Sequence, residues 1–458
     1  MAPQEIELDI TDVAHGGVFV GRHEDAGAER GGRVVFVSDA LPGERVRVRL
    51  TDTGKSSFWR GTATEVLTAS PHRRPHIWRQ AGIDVPPELR PGGADFGHIA
   101  LDHQRELKTQ VIRDALRRVG GLDLPVTVEP ARPLRGADGE VVATESDDGT
   151  GWRTRVSLHV DADGRVGPYA PRSHRVIPVD DLPLATEAIA LAGTGLRDAR
   201  PGRLDLVEPA DGRVRVIARA DAPARGRRGP RGPRRGGSVA GALPASDAAA
   251  REVIVEEVSG RPFRVDAGGF WQVHRLAAQT LSEAVADVLA AAGPDAVDPD
   301  ARHLDLYGGV GLLAAAVAGL GGSGTRITTV ESDPRATGHA GENLADWVGA
   351  RAETGRVDRW LADLEASASA AERTRLARGV VVLDPPRSGA GREVVERLAR
   401  LRPARIVYVA CDPVALARDL STFHSLGYDA GAVHGYDLFP HSHHIEALVL
   451  LTRGVADR

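Results

Sequence analysis

A thiol and two carboxylates frame the chemistry this chain can do. Cys411, within Tyr408-Val409-Ala410-Cys411-Asp412-Pro413, is the only cysteine in 458 residues. It cannot close a disulfide within the chain, so it is either a small buried hydrophobe following the apolar run Ile406 to Ala410 or a reactive group. A reactive thiol must be deprotonated, which calls for a partly exposed site with polar neighbours. Asp384 heads Asp384-Pro385-Pro386-Arg387, where an acid followed by two prolines makes a rigid, exposed turn. Glu446 closes the stretch Asp437-Leu438-Phe439-Pro440-His441-Ser442-His443-His444-Ile445-Glu446. Its adjacent histidines invite a metal reading, but consecutive side chains on an extended segment point apart, so no metal site is expected. His72, His76 and His98 also lack a ligand-like spacing.

A second group of residues suits a nucleoside. Leu304-Asp305-Leu306-Tyr307 runs into Gly308-Gly309-Val310-Gly311, and Ile327-Thr328-Thr329-Val330 delivers Glu331. Glycines at a strand-to-helix turn let backbone approach a bound nucleotide, and an acid ending the next strand accepts hydrogen bonds from ribose hydroxyls. The run Gly309-Val310-Gly311-Leu312-Leu313-Ala314 does not decide whether that nucleotide is a dinucleotide.

The elements that must position these residues alternate strand and helix. They run His303 to Leu306, Leu312 to Leu320, Arg326 to Val330, Pro334 to Trp347, Gly379 to Leu383, Arg392 to Leu401, Arg405 to Val409 and Pro413 to Leu426. This pattern predicts a doubly wound parallel sheet, whose ligands bind at the C-terminal strand edge. Asp384 and Cys411 both fall at that edge. Tyr428 to Leu438 and Ile445 to Leu451 are strands with no helix between them, so the sheet should end in an antiparallel pair.

Upstream the pattern differs. Ile6 to Ile10, Val18 to Val20, Arg33 to Val37, the alternating Arg45 to Leu50, and Trp59 to Leu67 predict closely spaced strands of a small barrel. Such barrels often bind oligonucleotides, although the pattern fits a barrel without a ligand as well. Ser70 to Gly97 is rich in Pro, Gly and charge; Leu101 to Val119 has helical spacing and is stopped by Gly120-Gly121. A β-rich region follows from Val126 to Arg219, then an Arg/Gly/Pro stretch at 220–250 that reads as a disordered loop or an RNA contact. The expected domains are 1–69, 70–262 and 263–458.

Composition narrows the class. The hydrophobic share of 42% supports packed cores, and no apolar run approaches the roughly 20 residues of a membrane span. A soluble, cytoplasmic monomer is expected. The net charge of −5 neither advertises nor excludes a nucleic-acid partner. Lysine occurs only at Lys55 and Lys108.

Taken in order, Phe270-Trp271-Gln272-Val273, Asp305-Leu306-Tyr307 with its glycine loop, Glu331, Asp384-Pro385-Pro386-Arg387, Tyr408 to Pro413, and Phe439-Pro440-His441 through Glu446 resemble the S-adenosylmethionine-dependent RNA 5-methyluridine methyltransferases. The barrel places the chain in the branch with an N-terminal TRAM domain. The resemblance implies an α/β protein: an OB-like TRAM barrel, a β-rich central domain and a C-terminal class I, Rossmann-like methyltransferase domain with an antiparallel last strand. It implies Cys411 as nucleophile and Glu446 as base. Gln272, Tyr307, Glu331 and Asp384 match cofactor positions, with Asp384 also near the target base. RNA is the implied partner: 23S ribosomal RNA first, because TRAM-bearing relatives mostly act there, and transfer RNA second. Two other readings stay open, a catalytically impaired RNA-binding homologue and an amino-directed methyltransferase using the Asp-Pro-Pro turn.

The chain also departs from that family. Many relatives carry four cysteines before the long helix and bind a [4Fe-4S] cluster; Ser70 to Gly97 has none, so no iron-sulfur cluster is expected. Gly308 stands where the family has cysteine, Leu312 where it usually has asparagine, and Asp412 follows the thiol in place of asparagine. Asp412 is expected to raise the thiol's pKa.

Overall fold

The computed structural model describes residues 4–23, 32–55, 57–136, 138–197, 200–220 and 245–454. Most of the 220–250 stretch therefore lies outside the described residues.

Five strands, β1 (Glu5–Ala14), β2 (Val18–His23), β3 (Arg33–Ser38), β4 (Arg45–Asp52) and β5 (Phe58–Thr68), close into a barrel in the order β1-β2-β3-β5-β4. Alternation makes this possible: Val46, Val48 and Leu50 of β4 point inward onto Phe19, Val35 and Val37, while Arg45, Arg47 and Arg49 face out. The following segment is stapled to the barrel. Arg73 binds the fully buried carboxylate of Glu44 at 2.6 Å, and Arg90 reaches Asp39 at 2.7 Å.

Helix α1 (Leu101–Ala115) leads to β6 (Val126–Pro130), and here the structure departs from the sequence expectation. Neither packs in the central region. β6 pairs in parallel with a strand near the C-terminus and becomes the outer edge of the large sheet. A small pair, β7 (Leu134–Arg135) and β8 (Val141–Ala143), precedes the central sheet. That sheet has β9 (Arg155–Val160), β10 (Val166–Gly167), β11 (Gly202–Val207) and β12 (Arg215–Ala220) in the order β10-β9-β11-β12, with helix α2 (Glu187–Thr194) against it. A short helix α3 (Ala245–Ala250) and the hairpin β13 (Val253–Val258) and β14 (Arg261–Asp266) follow.

The C-terminal unit begins with α4 (Ala277–Ala291). Its strands and helices are β15 (His303–Leu306), α5 (Leu312–Gly321), β16 (Ile327–Glu331), α6 (Pro334–Asn343), β17 (Arg351–Thr354), α7 (Val357–Ser367), α8 (Ala370–Leu376), β18 (Val380–Leu383), α9 (Arg392–Leu401), β19 (Arg405–Ala410), α10 (Pro413–Ser425), β20 (Tyr428–Asp437) and β21 (Glu446–Arg453). The sheet order is β17-β16-β15-β18-β19-β21-β20-β6. β15 to β19 are parallel, and β21 enters antiparallel between β19 and β20, as expected for the closing pair. The sheet does not end there, because β6 adds one more strand.

Both faces of this sheet are covered, which is why its strands read as unbroken apolar runs. In β19, Val407 and Val409 enter a core with α4 and α5, while Ile406, Tyr408 and Ala410 enter a second core with α1, α9 and α10. Among the described residues, no helix is long and apolar enough to cross a membrane.

Candidate active site

Glycine loop, Asp-Pro-Pro turn and thiol share one cleft of about 850 Å³ along the C-terminal strand edge. Gln272, Tyr307, Glu331, Asp384, Cys411 and Glu446, singled out from sequence, all line it. So do Asp95 and Arg153, which lie far upstream in the chain.

At one end the backbone prepares a nucleotide cradle. β15 stops at Tyr307, which adopts φ 64°, and Gly309 follows with φ 53° and open space where a Cβ would stand. A side chain at Gly309 would fill the cradle and strain the turn. Glu331 is already oriented: its carboxylate accepts hydrogen bonds from Gly309 N at 3.3 Å, Asp333 N at 2.8 Å and the Ser332 hydroxyl at 3.0 Å. Beneath, the buried Asp305 takes a hydrogen bond from Thr329 Oγ1 at 2.9 Å, and burial pushes its pKa up to about 6. A Cβ on Gly308 would strike that same carboxylate and hydroxyl, so glycine, not the family's cysteine, suits this loop.

At the other end the charges are unresolved. Cys411 is half-buried where β19 meets α10. Burial, and then the negative charges of Glu446 and Asp384, push its thiol up to about 12, with Arg387 opposing. Burial and the charge of Asp305 push Asp384 up to about 7. Burial and Asp384 together raise Glu446 well above the ordinary carboxylate range. These surroundings favour the thiol over the thiolate in the free protein.

Asp412 is not the cause. Its carboxylate caps α10 by accepting from Ala415 N at 2.8 Å and pairs with His15 of the barrel at 3.1 Å. The capping geometry turns it toward the helix end. The thiol's raised pKa comes from across the cleft.

The turns that carry these groups are tied down from beneath. Tyr408 donates its hydroxyl proton to Asp419 at 2.7 Å and accepts from Ala390 N at 2.9 Å, which fixes the loop after Pro385-Pro386 to the underside of β19. The loop before Glu446 is held by N-terminal residues. Lys108 of α1, almost wholly buried, pairs with the buried Asp437 and donates to the Phe439 carbonyl at 3.1 Å. Gln104 accepts from His441 N at 2.7 Å and contacts His441 Nδ1 at 3.1 Å. Asp95 accepts from His443 N at 3.1 Å and meets His443 Nδ1 at 2.7 Å. His441 takes φ 65° within this grip. Histidines 441 and 443 therefore shape a loop.

Sequence reasoning passed over Lys108, Asp95 and Arg153. Only Lys108 carried a signal, as one of two lysines in a chain that otherwise uses arginine. Arg153 lines the cleft with its Nε donating to Arg155 O at 3.0 Å and with no carboxylate partner among the described residues. Burial lowers its pKa.

Comparison with known proteins agrees with this architecture. The tRNA (Uracil-5-)-methyltransferase family matches residues 371–454, and the TRAM domain matches residues 2–62. An uncharacterized RNA methyltransferase of Streptomyces avermitilis is 36% identical, covering 98% of each chain. One of Streptomyces coelicolor is 37% identical over 98% of this chain and 93% of its own. Among solved structures, the Pyrococcus abyssi tRNA (uracil-54, C5)-methyltransferase in complex with S-adenosyl-L-homocysteine shares the fold, with a TM-score of 0.62, 19% identity, and coverage of 98% of this chain and 100% of that one. The chain belongs to the RNA methyltransferases, with a TRAM domain at its N-terminus and a tRNA (uracil-5-)-methyltransferase family domain at its C-terminus.

Proposed function

We propose that the protein methylates C5 of a uridine in structured RNA, with S-adenosyl-L-methionine as methyl donor. The observation that carries this reading is that Cys411, Asp384 and Glu446 line one cleft with the glycine loop and Glu331. The residues fit the cofactor: Gly309 leaves open space at the loop, and Glu331 is held ready for ribose hydroxyls. Gln272, Tyr307 and Asp384 complete the wall around it. When bound, S-adenosyl-L-methionine supplies an electrophilic methyl group.

The protein's part is to make a poor nucleophile reactive. Uracil C5 becomes enolate-like once the Cys411 thiolate adds to C6. Asp384, near pKa 7, can take the thiol proton only once bound substrate and Arg387, which favours the thiolate, bring the thiol down from about 12. After methyl transfer Glu446 takes the C5 proton, the C6–S bond breaks, and Cys411 leaves as thiolate. A target within folded RNA must be unstacked to reach the thiol.

Among RNAs, 23S ribosomal RNA comes first on the strength of the TRAM barrel. Transfer RNA is the second reading, favoured by the matched family's description and by the Pyrococcus abyssi enzyme's fold. Mapping 5-methyluridine in both RNAs from cells lacking the protein decides between them. Purified protein should also form a covalent adduct with 5-fluorouridine RNA, and Cys411→Ala should abolish it and cut methylation by about 10³-fold or more. Methylation of an exocyclic amine that survives Cys411→Ala would instead establish the amino-directed reading.

A further inference from the structure

Cys411 faces two spaces. Besides the cleft it lines a smaller pocket of about 70 Å³, closed on its far side by the β1–β2 turn of the barrel at Ala14, His15 and Gly16. This turn is fitted tightly: a Cβ on Gly17 would collide with Asp95 and come within 2.8 Å of His443 Nδ1. The barrel is thus a wall of the reacting centre.

The two spaces differ in sign. The cleft's far end carries Asp266, Glu331 and Asp333. Arg387, Lys108 and His15 line the small pocket, where Asp412 is the one carboxylate. Arg387 is exposed, meets His444 Nε2 at 3.3 Å, and forms no ion pair with a carboxylate among the described residues. His15 pairs with Asp412 but keeps 46% of its side chain exposed. A nucleotide whose C6 meets Cys411 brings a negatively charged linkage with it. That linkage is repelled from the acidic end and attracted to the small pocket.

From this we infer that the pocket between the barrel turn and Cys411 is a phosphate subsite, in which Arg387 and His15 hold the phosphodiester flanking the target uridine. The inference rests on reading the cleft as a uridine site. It gives the TRAM barrel a second role, recognition at the reacting nucleotide. The Arg387 guanidinium supplies the charge-assisted hydrogen bonds such a group needs, and the His15 ring adds an N–H donor. The volume exceeds a single water's share, as a tetrahedral anion requires.

The test is a cycle between protein and phosphate. Binding of a short oligoribonucleotide with one central uridine is measured with S-adenosyl-L-homocysteine present, so no chemistry intervenes. Each linkage beside the uridine is replaced in turn by a neutral methylphosphonate. For the wild-type protein, one replacement should weaken binding about tenfold, the equivalent of one charge-assisted hydrogen bond. The His15→Ala/Arg387→Met variant should be indifferent to that replacement, and its salt slope should fall by about 0.7 per lost contact. His15→Ala alone removes only an exposed side chain and should show part of the same loss. Equal losses in wild type and variant, or a wild type indifferent to both replacements, would overturn the assignment. If the coupling is found but no RNA is methylated, the subsite stands and the uridine reading falls.

Discussion

The two walls of the cleft are built on opposite principles. At the glycine-loop wall the carboxylates are held by partners nearer in the chain: Glu331 by Gly309, Ser332 and Asp333, one oxygen of Asp305 by Thr329, and Asp266 by Arg335 and His339. At the thiol wall Asp384, itself raised by burial and Asp305, raises the pKa of Glu446, both raise that of Cys411, and the loop before Glu446 is held by Lys108, Gln104 and Asp95, more than 300 residues away. One wall is pre-formed for a small molecule that arrives in one shape. The other holds charge repulsion that substrate must relieve, as expected where chemistry needs shifted pKa values.

The sharpest way to break this contrast is at Lys108. Lys108→Met leaves the buried Asp437 with only Arg105, at 3.4 Å, as a cation and should cost about 3 kcal/mol in denaturant unfolding. Adding Asp437→Leu should restore most of that stability, because an apolar pair is often as stable as a buried ion pair. Methylation should stay low in the double variant, since the Phe439 carbonyl keeps only the local Ser442 donors and the tie from α1 to the loop leading to Glu446 is lost. With unmodified uridine RNA the covalent adduct should then accumulate, because proton removal by Glu446 is the delayed step. Restored activity alongside restored stability would show that Lys108 has no positioning role.

On the glycine-loop wall the matching change is Gly308→Ala. Its methyl group would land on the Asp305 carboxylate and the Thr329 hydroxyl, so overpacking should cost about 1–3 kcal/mol and weaken S-adenosyl-L-methionine binding measured by calorimetry. The effect should stay on that wall. The pH dependence of Cys411 alkylation should match wild type.

Asp384→Asn sharpens the contrast with a smaller effect of opposite sign. Its folded pKa, about 7, lies above the unfolded value of about 3.9, so the native state binds the extra proton between these limits. Stability from this group is complete below about pH 4 and is lost as pH rises through 7. Asparagine carries no such loss. The variant should match wild type below pH 4 and exceed it by about 0.5–2 kcal/mol above pH 7, while the Cys411 thiol moves down from about 12. Methylation should fall despite the added stability.

How legible each wall was follows from the same contrast. Asp305, Glu331, Asp384 and Cys411 end strands whose apolar runs stand out, and the barrel strands announce themselves by alternation, as in Arg45 to Leu50. Local pattern carries that information. β17 was missed because Arg351–Thr354 is a partly exposed, polar edge strand without alternation. β6 reads the same whether it pairs with the central sheet or with β20, because a five-residue run does not encode its partner. The grip of Lys108, Gln104 and Asp95 on the 437–446 loop is a tertiary fact of this kind. Asp412 was misread for a different reason: adjacency in sequence suggested that its charge acts on Cys411, whereas helix capping turns it toward Ala415 and His15.

The smallest effect on stability is expected at His15, and its smallness makes it informative. The His15–Asp412 pair is 46% and 22% exposed, a geometry worth about 0–1 kcal/mol. His15→Ala should therefore leave thermal unfolding nearly unchanged. S-adenosyl-L-methionine binding should also hold, because the barrel turn does not reach the glycine-loop wall. RNA affinity should drop severalfold, visible as a raised KM with kcat retained, since the loss falls on a phosphate contact rather than on Cys411 or Glu446. A fall in kcat with KM unchanged would mean that the barrel turn acts through Asp412 on the setting of the thiol. The boundary between the N-terminal barrel and the chemistry would then lie inside the reacting centre itself.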